Sequence, residues 1–469
     1  MTPTIHDDVS GLIQRLDGAV RLHGDGVEVS DPEAVRAGLV DELVWTAVFG
    51  EGETRDAARW LIRVLAPAMG AWPASIHDLY MAAGRREYAD VTTPAINLRG
   101  MAYDLARTVF RAGHATQSKQ ILLELARSEM GYTDQRPAEY ASVVLAAAIK
   151  ENWQGPVFIQ GDHYQANAKK YAADPEGEIG AVRDVAREAI AAGYGNIDID
   201  SSTLVDLSRG TLAEQQELNA RHTAELTQAI REAEPAGLTI SVGGEIGEVG
   251  KANSTVEDLE AFMGEYQKEL AKLGGDLTGI SKISVQTGTS HGGVVLPDGS
   301  IKEVSVDFDT LANLSRAAKD DWGMGGAVQH GASTLPESAF SRFAEADAVE
   351  VHLATAFQNA IYDSEAFPAD LKEEIYAHLA KNLASERKPN QTDTQFYYTT
   401  RKQGFGPFKR QFWSMPEETK ATILGELQPR FELIMHELRV AGRGELVDRY
   451  VKRVDVDVPA PEALLSRLG

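Results

Sequence analysis

The feature that most constrains the fold of this chain is a regular alternation that begins at Thr92. Short β-branched apolar runs alternate there with longer stretches rich in Ala, Glu, Arg and Leu, a pattern typical of parallel strands joined by helical crossovers. Eight runs are present, at 93–98, 120–125, 156–160, 196–200, 238–242, 280–286, 327–329 and 349–353. We therefore predict an α/β chain folded as a closed (β/α)8 TIM barrel over residues 92–363. An open doubly wound sheet uses the same alternation and is the alternative.

The segments on either side of this region lack the alternation. Residues 1–91 predict a helical N-terminal extension, with helices near 35–48 and 57–66 and turns at 50–52 and at Trp72-Pro73. After Asp363 the strand signal stops, and residues 364–469 predict a helical C-terminal region packing on the barrel. The middle of this region is basic and aromatic, which makes it a candidate anion contact or a solvated surface.

The net charge of the chain indicates which partners it can bind, and its hydropathy indicates where in the cell we expect it. The 469 residues include 46 Lys and Arg against 70 Asp and Glu, a net charge of −24. This charge opposes binding to nucleic acid or to anionic membranes, and no basic run compensates for it. The N-terminus lacks a signal-peptide pattern and no stretch is apolar enough to span a membrane, so we expect a cytoplasmic protein. With no cysteine in the chain, any metal ligands must be His, Asp, Glu, carbonyl groups or water.

Polar residues follow five of the predicted strands, where a barrel of this kind places its active site. They are Asp162 and His163, Asp200, Glu245, His291, and His330. One histidine at a strand end usually has a structural role, but three neutral imidazoles around an open position are a recurring catalytic zinc arrangement. We therefore predict a site for Zn²⁺, or another divalent cation, held by the three histidines.

Three carboxylates accompany these histidines. Asp162 and His163 would point to opposite faces of a regular strand, but a turn at the strand end can present both to the site. Asp162 is then placed to transfer protons beside a metal-activated substrate. Asp200 and Glu245 either orient the imidazoles or form an alternative metal position, with helix capping and solvation as the other possibility.

Taken together, these segments resemble the class II, metal-dependent fructose-bisphosphate aldolase family over about residues 92–363. The matching motifs, in order, are Phe158-Ile159-Gln160-Gly161-Asp162-His163, Ile199-Asp200-Ser201-Ser202, Glu245-Ile246-Gly247, Gly288-Thr289-Ser290-His291-Gly292 and His330-Gly331-Ala332-Ser333. The resemblance implies a zinc-dependent lyase that cleaves a ketose phosphate or bisphosphate, and a dimer or larger homo-oligomer. The metal would polarise the ketose carbonyl and stabilise the enediolate formed when the C3–C4 bond breaks.

The resemblance also implies roles for single residues. His163, His291 and His330 would bind zinc, and Asp162 would exchange a proton with the C4 hydroxyl. Candidates for contact with the substrate or its phosphate are Asn97, Ser128, Gly292, Gly331, Ser333, Thr355 and, near the distal phosphate, Arg401 or Arg410.

The segment of the eighth predicted strand departs from the family pattern. The family's eighth strand resembles Lys-Ile-Asn-Val-x-Thr-Asp, whereas this chain has Glu350-Val351-His352-Leu353-Ala354-Thr355-Ala356. His352 therefore occupies the place of an Asn that contacts the enediolate and becomes a catalytic candidate. It motivates a second hypothesis, a metal-dependent ketose or ketose-phosphate epimerase using the same site. A non-catalytic metal-binding scaffold is a third.

Overall fold

The C-terminal ends of eight parallel strands meet at one mouth of a closed barrel in this computed structural model. The structure describes residues 2–24, 26–247, 252–288, 295–296 and 305–468. Its strands, numbered in chain order, are β1 Val20–His23, β2 Gly26–Val29, β3 Ala71–Ala74, β4 Thr93–Asn97, β5 Leu122–Ala126, β6 Gly155–Gln165, β7 Asn196–Asp200, β8 Ser241–Glu245, β9 Lys282–Val285, β10 Ala327–Gln329 and β11 Glu350–Leu353. Strands β4 to β11 form the barrel, which confirms the predicted fold class.

Two pairings show that the barrel is closed. Strand β11 pairs with β4 in register from Glu350 with Thr93 to Leu353 with Ile96. The two ends of the sheet meet where β6 pairs with β7, starting from Gln160 with Asn196. Because all eight strands are hydrogen-bonded to two neighbours, the open-sheet alternative is excluded.

Helices surround the barrel and form most of both terminal regions. In chain order they are α1 Val9–Leu16, α2 Pro32–Ala34, α3 Val40–Phe49, α4 Gly52–Ala68, α5 His77–Gly84, α6 Ala102–Thr116, α7 Arg127–Tyr132, α8 Pro137–Lys150, α9 Ala168–Ala173, α10 Pro175–Ala192, α11 Leu212–Ala233, α12 Val256–Leu273, α13 Phe308–Asp320, α14 Ser341–Glu345, α15 Thr355–Asp363, α16 Ala369–Asn382, α17 Asp393–Thr400, α18 Lys409–Trp413, α19 Glu417–Glu437, α20 Gly444–Tyr450 and α21 Glu462–Leu468. A π-helical turn, Val35–Leu39, precedes α3. Within the described ranges, none of these helices combines the length and apolar character that crossing a membrane requires.

The segment around Trp72-Pro73 is a strand rather than the expected turn. Strand β3 pairs in parallel with the start of β6, and Pro73 fits because β3 is hydrogen-bonded on one side alone. The following residues tie the segment to the base of the barrel. Asn196 Oδ1 accepts a hydrogen bond from the backbone of Ile76 at 2.9 Å, and Ser75 Oγ accepts one from the backbone of Ser241 at 3.0 Å.

The terminal regions and the barrel share one hydrophobic core. A continuous cluster of buried side chains extends from Val9 in α1 to Leu464 in α21. Trp413 of α18 lies between Trp45 of α3 and Tyr103 of α6, with ring centroids 5.8 and 6.1 Å away. Helix packing across these boundaries therefore contributes to the support of the barrel from both sides.

Candidate active site

A cavity of about 300 Å³ opens at the C-terminal mouth of the barrel. Its walls come from the ends of several strands and from the C-terminal helical region, and consist of Asn97, Arg99, Asp162, His163, His330, Gly331, Ser333, His352, Ala354, Thr355, Gln358, Tyr398, Thr399 and Lys402. This is the position at which barrels of parallel strands carry their active sites.

A bulge at the end of β6 brings two consecutive side chains into the cavity. The register of β6 against β7 shifts between Gly161 and Tyr164, and His163 has a φ of 42°. A positive φ is uncommon for a residue with a side chain and costs conformational energy, which favours a functional reason for it. The bulge cancels the strand alternation, so Asp162 and His163 both line the cavity.

Asp162 is buried and held from one side. Its Oδ2 accepts a hydrogen bond from Asn97 Nδ2 at 3.0 Å. Its Oδ1 lies 3.4 Å from His163 Nδ1 and 3.2 Å from His352 Nδ1, and forms no hydrogen bond with any residue that the structure describes. One carboxylate oxygen is thus fixed, and the other faces two imidazoles.

His163 and His330 lie face to face. Their ring centroids are 4.0 Å apart, and Ser284 Oγ lies 2.9 Å from His330 Nε2. Ligand atoms of Asp162, His163 and His330 lie within 4.8 Å of one another. Two of the three predicted histidines are therefore brought together. The third, His291, and the predicted phosphate contact Gly292 lie outside the described residues.

Glu245 approaches the same nitrogen of His163 as Asp162 does, and Asp200 lies close to both His163 and Glu245. Glu245 Oε2 is 3.6 Å from His163 Nδ1, and the two carboxylates and the imidazole can also direct ligand atoms to one point. Asp200 is restrained by the backbone of Ser202, 3.0 Å away, and by the Ser202 hydroxyl, 2.6 Å away. These contacts suit either role expected from the sequence, an outer support for the imidazole or an alternative metal position.

The raised pKa values of His163 and Glu245 show that the carboxylates of the site stabilise a bound positive charge. Burial alone lowers the pKa of His163, but Asp162, Glu245 and Asp200 outweigh burial and raise that pKa to about 9. Burial and then Asp200 raise the pKa of Glu245 to about 8. A cluster that holds a proton this tightly also suits a divalent cation, which can replace the proton at the same donor atoms. The donor set, imidazole nitrogen and carboxylate oxygen, fits zinc.

A layer of charged residues lies inside the barrel beneath this site. Lys282 is 0% exposed, and its Nζ lies 2.6 Å from Glu350 Oε1, 2.9 Å from Asp198 Oδ1 and 2.8 Å from Gln160 Oε1. The Tyr80 hydroxyl donates to Glu350 Oε2 at 2.5 Å. Burying such charges is costly unless they are paired, and here each has an opposite charge or a hydrogen-bond donor in contact.

His352 connects the two layers. It is 4% exposed, its Nε2 lies 2.6 Å from Glu350 Oε1, and its Nδ1 lies 3.1 Å from Glu124 Oε1. Its ring centroid is 4.0 Å from that of His330. These surroundings raise the pKa of His352 well above its usual value, because the carboxylates overcome the opposing effect of burial.

The predicted substrate contacts divide into two groups. Asn97, Gly331, Ser333 and Thr355 line the cavity. Three others lie elsewhere: Ser128, Arg401 and Arg410.

The side chains of these three residues lie away from the cavity, and their contacts or exposure show why. Ser128 is exposed on α7, whose neighbouring Glu129 instead turns inward. Arg401 is 3% exposed and paired with Asp363 at 2.6 Å. Arg410 is exposed and stacks its guanidinium over Phe49, 4.7 Å from the ring centroid.

Two cationic side chains that line the cavity, Arg99 and Lys402, were not predicted from the sequence. Arg99 Nε donates to Glu129 Oε1 at 2.6 Å, and its Nη1 donates to Gln358 Oε1 at 3.0 Å. Lys402 lies over the Tyr132 ring at 5.3 Å and has no ion pair within the described part of the chain. Burial and then Arg99 lower the pKa of Lys402. Arg99 follows the candidate Asn97 by two residues, and Lys402 is next to the candidate Arg401. This closeness to candidate residues was the signal in the sequence that could have indicated both cations.

The fold and the site define a (β/α)8-barrel protein with a histidine and carboxylate centre at the mouth. The family described as "Fructose-bisphosphate aldolase class-II" matches residues 74–402. The chain therefore belongs to the class II fructose-bisphosphate aldolase family, whose members are enzymes and typically metal-dependent.

Solved structures show related architecture at low identity. A probable tagatose 6 phosphate kinase from Sinorhizobium meliloti 1021 is 16% identical, with 76% of this chain and 99% of that chain covered and a TM-score of 0.53. A putative fructose-1,6-biphosphate aldolase from Coccidioides immitis is 18% identical, with coverages of 78% and 96% and a TM-score of 0.43. The fructuronate-tagaturonate epimerase of Cohnella laeviribosi is 12% identical, with coverages of 94% and 90% and a TM-score of 0.49. A comparison with curated proteins finds no match.

Proposed function

We propose that this protein is a zinc-dependent aldolase that cleaves and forms a ketose phosphate by aldol chemistry. The observation that carries the proposal is the pairing of Asp162 with His163 on the β6 bulge: Asp162 lines the cavity, and its Oδ1, without a hydrogen bond among the described residues, lies beside two imidazoles. A base next to metal ligands is the arrangement that retro-aldol cleavage of a polarised ketose requires.

Histidine and carboxylate side chains would hold the metal. His163 and His330 supply imidazole nitrogen, Glu245 or Asp200 supplies carboxylate oxygen, and His291 remains a proposed ligand from outside the described residues. When bound, a divalent cation supplies a Lewis acid that polarises the substrate carbonyl.

In this proposal Asp162 accepts the proton of the hydroxyl whose carbon becomes the aldehyde, and returns it in the synthetic direction. The amide of Asn97 holds Oδ2 in place, which leaves Oδ1, without a hydrogen bond among the described residues, to take up the proton. Asp162 is ionised and therefore available to accept a proton, because its pKa lies well below its usual value; burial opposes this, and His163, His352 and His330 overcome it.

The anionic group of the substrate would bind near Lys402 and Arg99. Lys402 has no ion pair of its own among the described residues, and Gly331, Ser333 and Thr355 line the same wall. A cation whose solvation is reduced by burial gains more from an anion than an exposed lysine does.

Metal analysis and a screen of ketoses test the proposal. His163→Ala should lose bound metal and turnover together, whereas His436→Ala, at an exposed position on α19, should retain both. A chelator should inactivate the native protein, and added Zn²⁺ should restore it. Turnover that persists in a metal-free preparation would exclude the proposal.

A second candidate is a ketose or ketose-phosphate epimerase. The observation that favours it is His352, a buried imidazole in contact with Glu124, Glu350 and Asp162 at the place where the family resemblance implies an Asn. A second proton-carrying group near the substrate permits stereochemical inversion without release of fragments. Formation of an epimer with no triose product favours this candidate, and trapping of a triose aldehyde favours the aldolase.

A further inference from the structure

Three buried side chains beneath the mouth direct one polar atom each to a common point. Glu124 is 0% exposed, Asp162 is 6% exposed and His352 is 4% exposed. His352 Nδ1 lies 3.1 Å from Glu124 Oε1 and 3.2 Å from Asp162 Oδ1. Apart from these two contacts with one another, none of the three atoms has a hydrogen-bond partner in the described ranges. Buried polar atoms are rarely left in this state without a ligand to satisfy them.

The other polar atom of each side chain is held by an outer partner. Gln160 Nε2 donates to Glu124 Oε2 at 2.9 Å, and Asn97 Nδ2 donates to Asp162 Oδ2 at 3.0 Å. His352 Nε2 lies 2.6 Å from Glu350 Oε1. The outer contacts therefore fix the direction in which the inner atoms point.

This arrangement matches the environment of metal ligands in proteins. A ligating histidine usually donates its remote N–H to a carboxylate, as His352 can to Glu350, and this leaves the near nitrogen free to bind metal. Ligand atoms about 2.1 Å from one cation stand roughly 3.0 to 3.5 Å from each other in octahedral or tetrahedral geometry. The separations of 3.1 and 3.2 Å fall inside this range.

The charges also require a positive partner at this point. Glu124 and Asp162 bring two carboxylates together, while the buried cation Lys282 is engaged by Glu350 and Asp198. A divalent cation would neutralise both carboxylates and satisfy all three inner atoms. The competing arrangement is an imidazolium at His352, which supplies one positive charge.

We propose that Glu124, Asp162 and His352 form a second divalent-cation site, here called the inner site, beneath the His163 and His330 centre. One nitrogen and two oxygen donors suit Mn²⁺, Fe²⁺ or Zn²⁺. Asp162 Oδ1 also lies 3.4 Å from His163 Nδ1, so ions bound at the two sites would be roughly 3.5–4 Å apart. A carboxylate that binds a cation is a poor base, so the inner site must release its ion when Asp162 transfers a proton. The inner site does not depend on which reaction the enzyme performs.

Counting bound manganese tests this site without reference to turnover. Full-length protein is freed of metal, dialysed against Mn²⁺, and analysed for bound ions per chain and for spin coupling by electron paramagnetic resonance. We expect two ions per chain with a coupled signal. Glu124→Gln should bind one ion with an uncoupled signal. The matched control Glu139→Gln, a buried glutamate of α8 that pairs with Lys409, should keep two.

Each outcome decides the matter. A single ion per chain that the native protein and Glu124→Gln bind alike, or two coupled ions in Glu124→Gln, would overturn the inner site. If Glu124→Gln does not fold, anomalous diffraction from native crystals soaked in Mn²⁺ locates the ions directly. An anomalous peak between Glu124, Asp162 and His352 supports the inner site, and peaks confined to His163 and His330 refute it.

Discussion

At the scale of single residues, the ion pairs of a lysine or arginine side chain decide whether that side chain is available to bind an anionic ligand. Lys402 and Arg401 are neighbours in sequence, yet their surroundings differ. Lys402 lines the cavity without an ion pair among the described residues. Arg401 forms an ion pair with Asp363 and donates a hydrogen bond to Asn359 Oδ1. The family resemblance had proposed Arg401 or Arg410 as the contact for the distal phosphate. The pairing depends on residues 38 and 42 positions away in sequence, which no local pattern reveals.

Lys402→Met should therefore weaken the binding of anionic substrates. The loss of one charge-assisted contact costs about 1.5–3 kcal/mol, so KM should rise about 10- to 100-fold while kcat changes less. Steady-state kinetics on the ketose phosphate found by screening measures this. Lys388→Met, at an exposed lysine, is the control. An unchanged KM in Lys402→Met would show that the anion binds elsewhere.

Arg401→Met should affect stability instead of substrate binding. Removing the guanidinium leaves the buried amide of Asn359 without its donor and Asp363 without its partner. Because Asp363 is largely exposed, we expect a loss of about 1–3 kcal/mol in the free energy of unfolding with KM unchanged. Urea denaturation and kinetics on the same preparation measure both quantities. A large rise in KM with normal stability would restore Arg401 as a phosphate ligand.

At the scale of secondary structure, the strands were predictable and the interior chemistry was not. Each of the eight predicted barrel strands is present, because the short apolar runs that indicate them are visible in the sequence even where a charged residue interrupts a run. Most candidate site residues came from positions at or after the strand ends, and Glu124, Asp198, Lys282 and Glu350 inside the strands were not among them. A usable signal existed: Asp198 and Glu350 each precede a candidate, Asp200 and His352, by two residues, and such residues share a face of a strand.

The bulge in β6 is the element on which the site depends, and Gly161 permits it. A Cβ at position 161 would lie 2.4 Å from the ring of Tyr164, which is fully buried and has no room to withdraw. Gly161→Ala should thus displace the bulge and reduce the affinity for metal at His163 by about tenfold or more. Gly180→Ala, in α10, meets no atom within 4 Å and should leave metal binding unchanged. Isothermal titration with Zn²⁺ compares the two. Equal affinities would show that the bulge tolerates a side chain.

At the scale of the whole molecule, a buried histidine at the base of the barrel should make stability depend on pH. Burial and then Arg231 lower the pKa of His77 to about 4, with Asp78 opposing them. Between pH 6.5 and 4 the unfolded chain binds a proton that the folded protein does not, so stability falls as the pH decreases. The expected loss is about 2 kcal/mol between pH 7 and pH 5.

His77→Gln should remove this contribution. Urea midpoints at pH 7 and pH 5 should differ less in the variant than in the native protein, after conversion to free energies. His23→Gln, at an exposed histidine, controls for the loss of an imidazole. If the native protein and His77→Gln lose equal stability over this range, His77 does not titrate as its burial implies.

Because the terminal regions share a hydrophobic core with the barrel, we expect the family-matched segment alone not to fold stably. The family match covers residues 74–402, but Trp45 of α3 and Leu427 and Phe431 of α19 lie outside it and are buried. Burial of each such side chain stabilises by roughly 1.5–3 kcal/mol, so three of them approach the ~5–15 kcal/mol by which a whole domain is stable. A chain truncated to residues 74–402 should therefore aggregate, or lack a cooperative thermal transition by calorimetry, while the full chain unfolds cooperatively. A truncated chain with a sharp transition and bound metal would instead show that the barrel is an independent folding unit and that the terminal regions are additions to it.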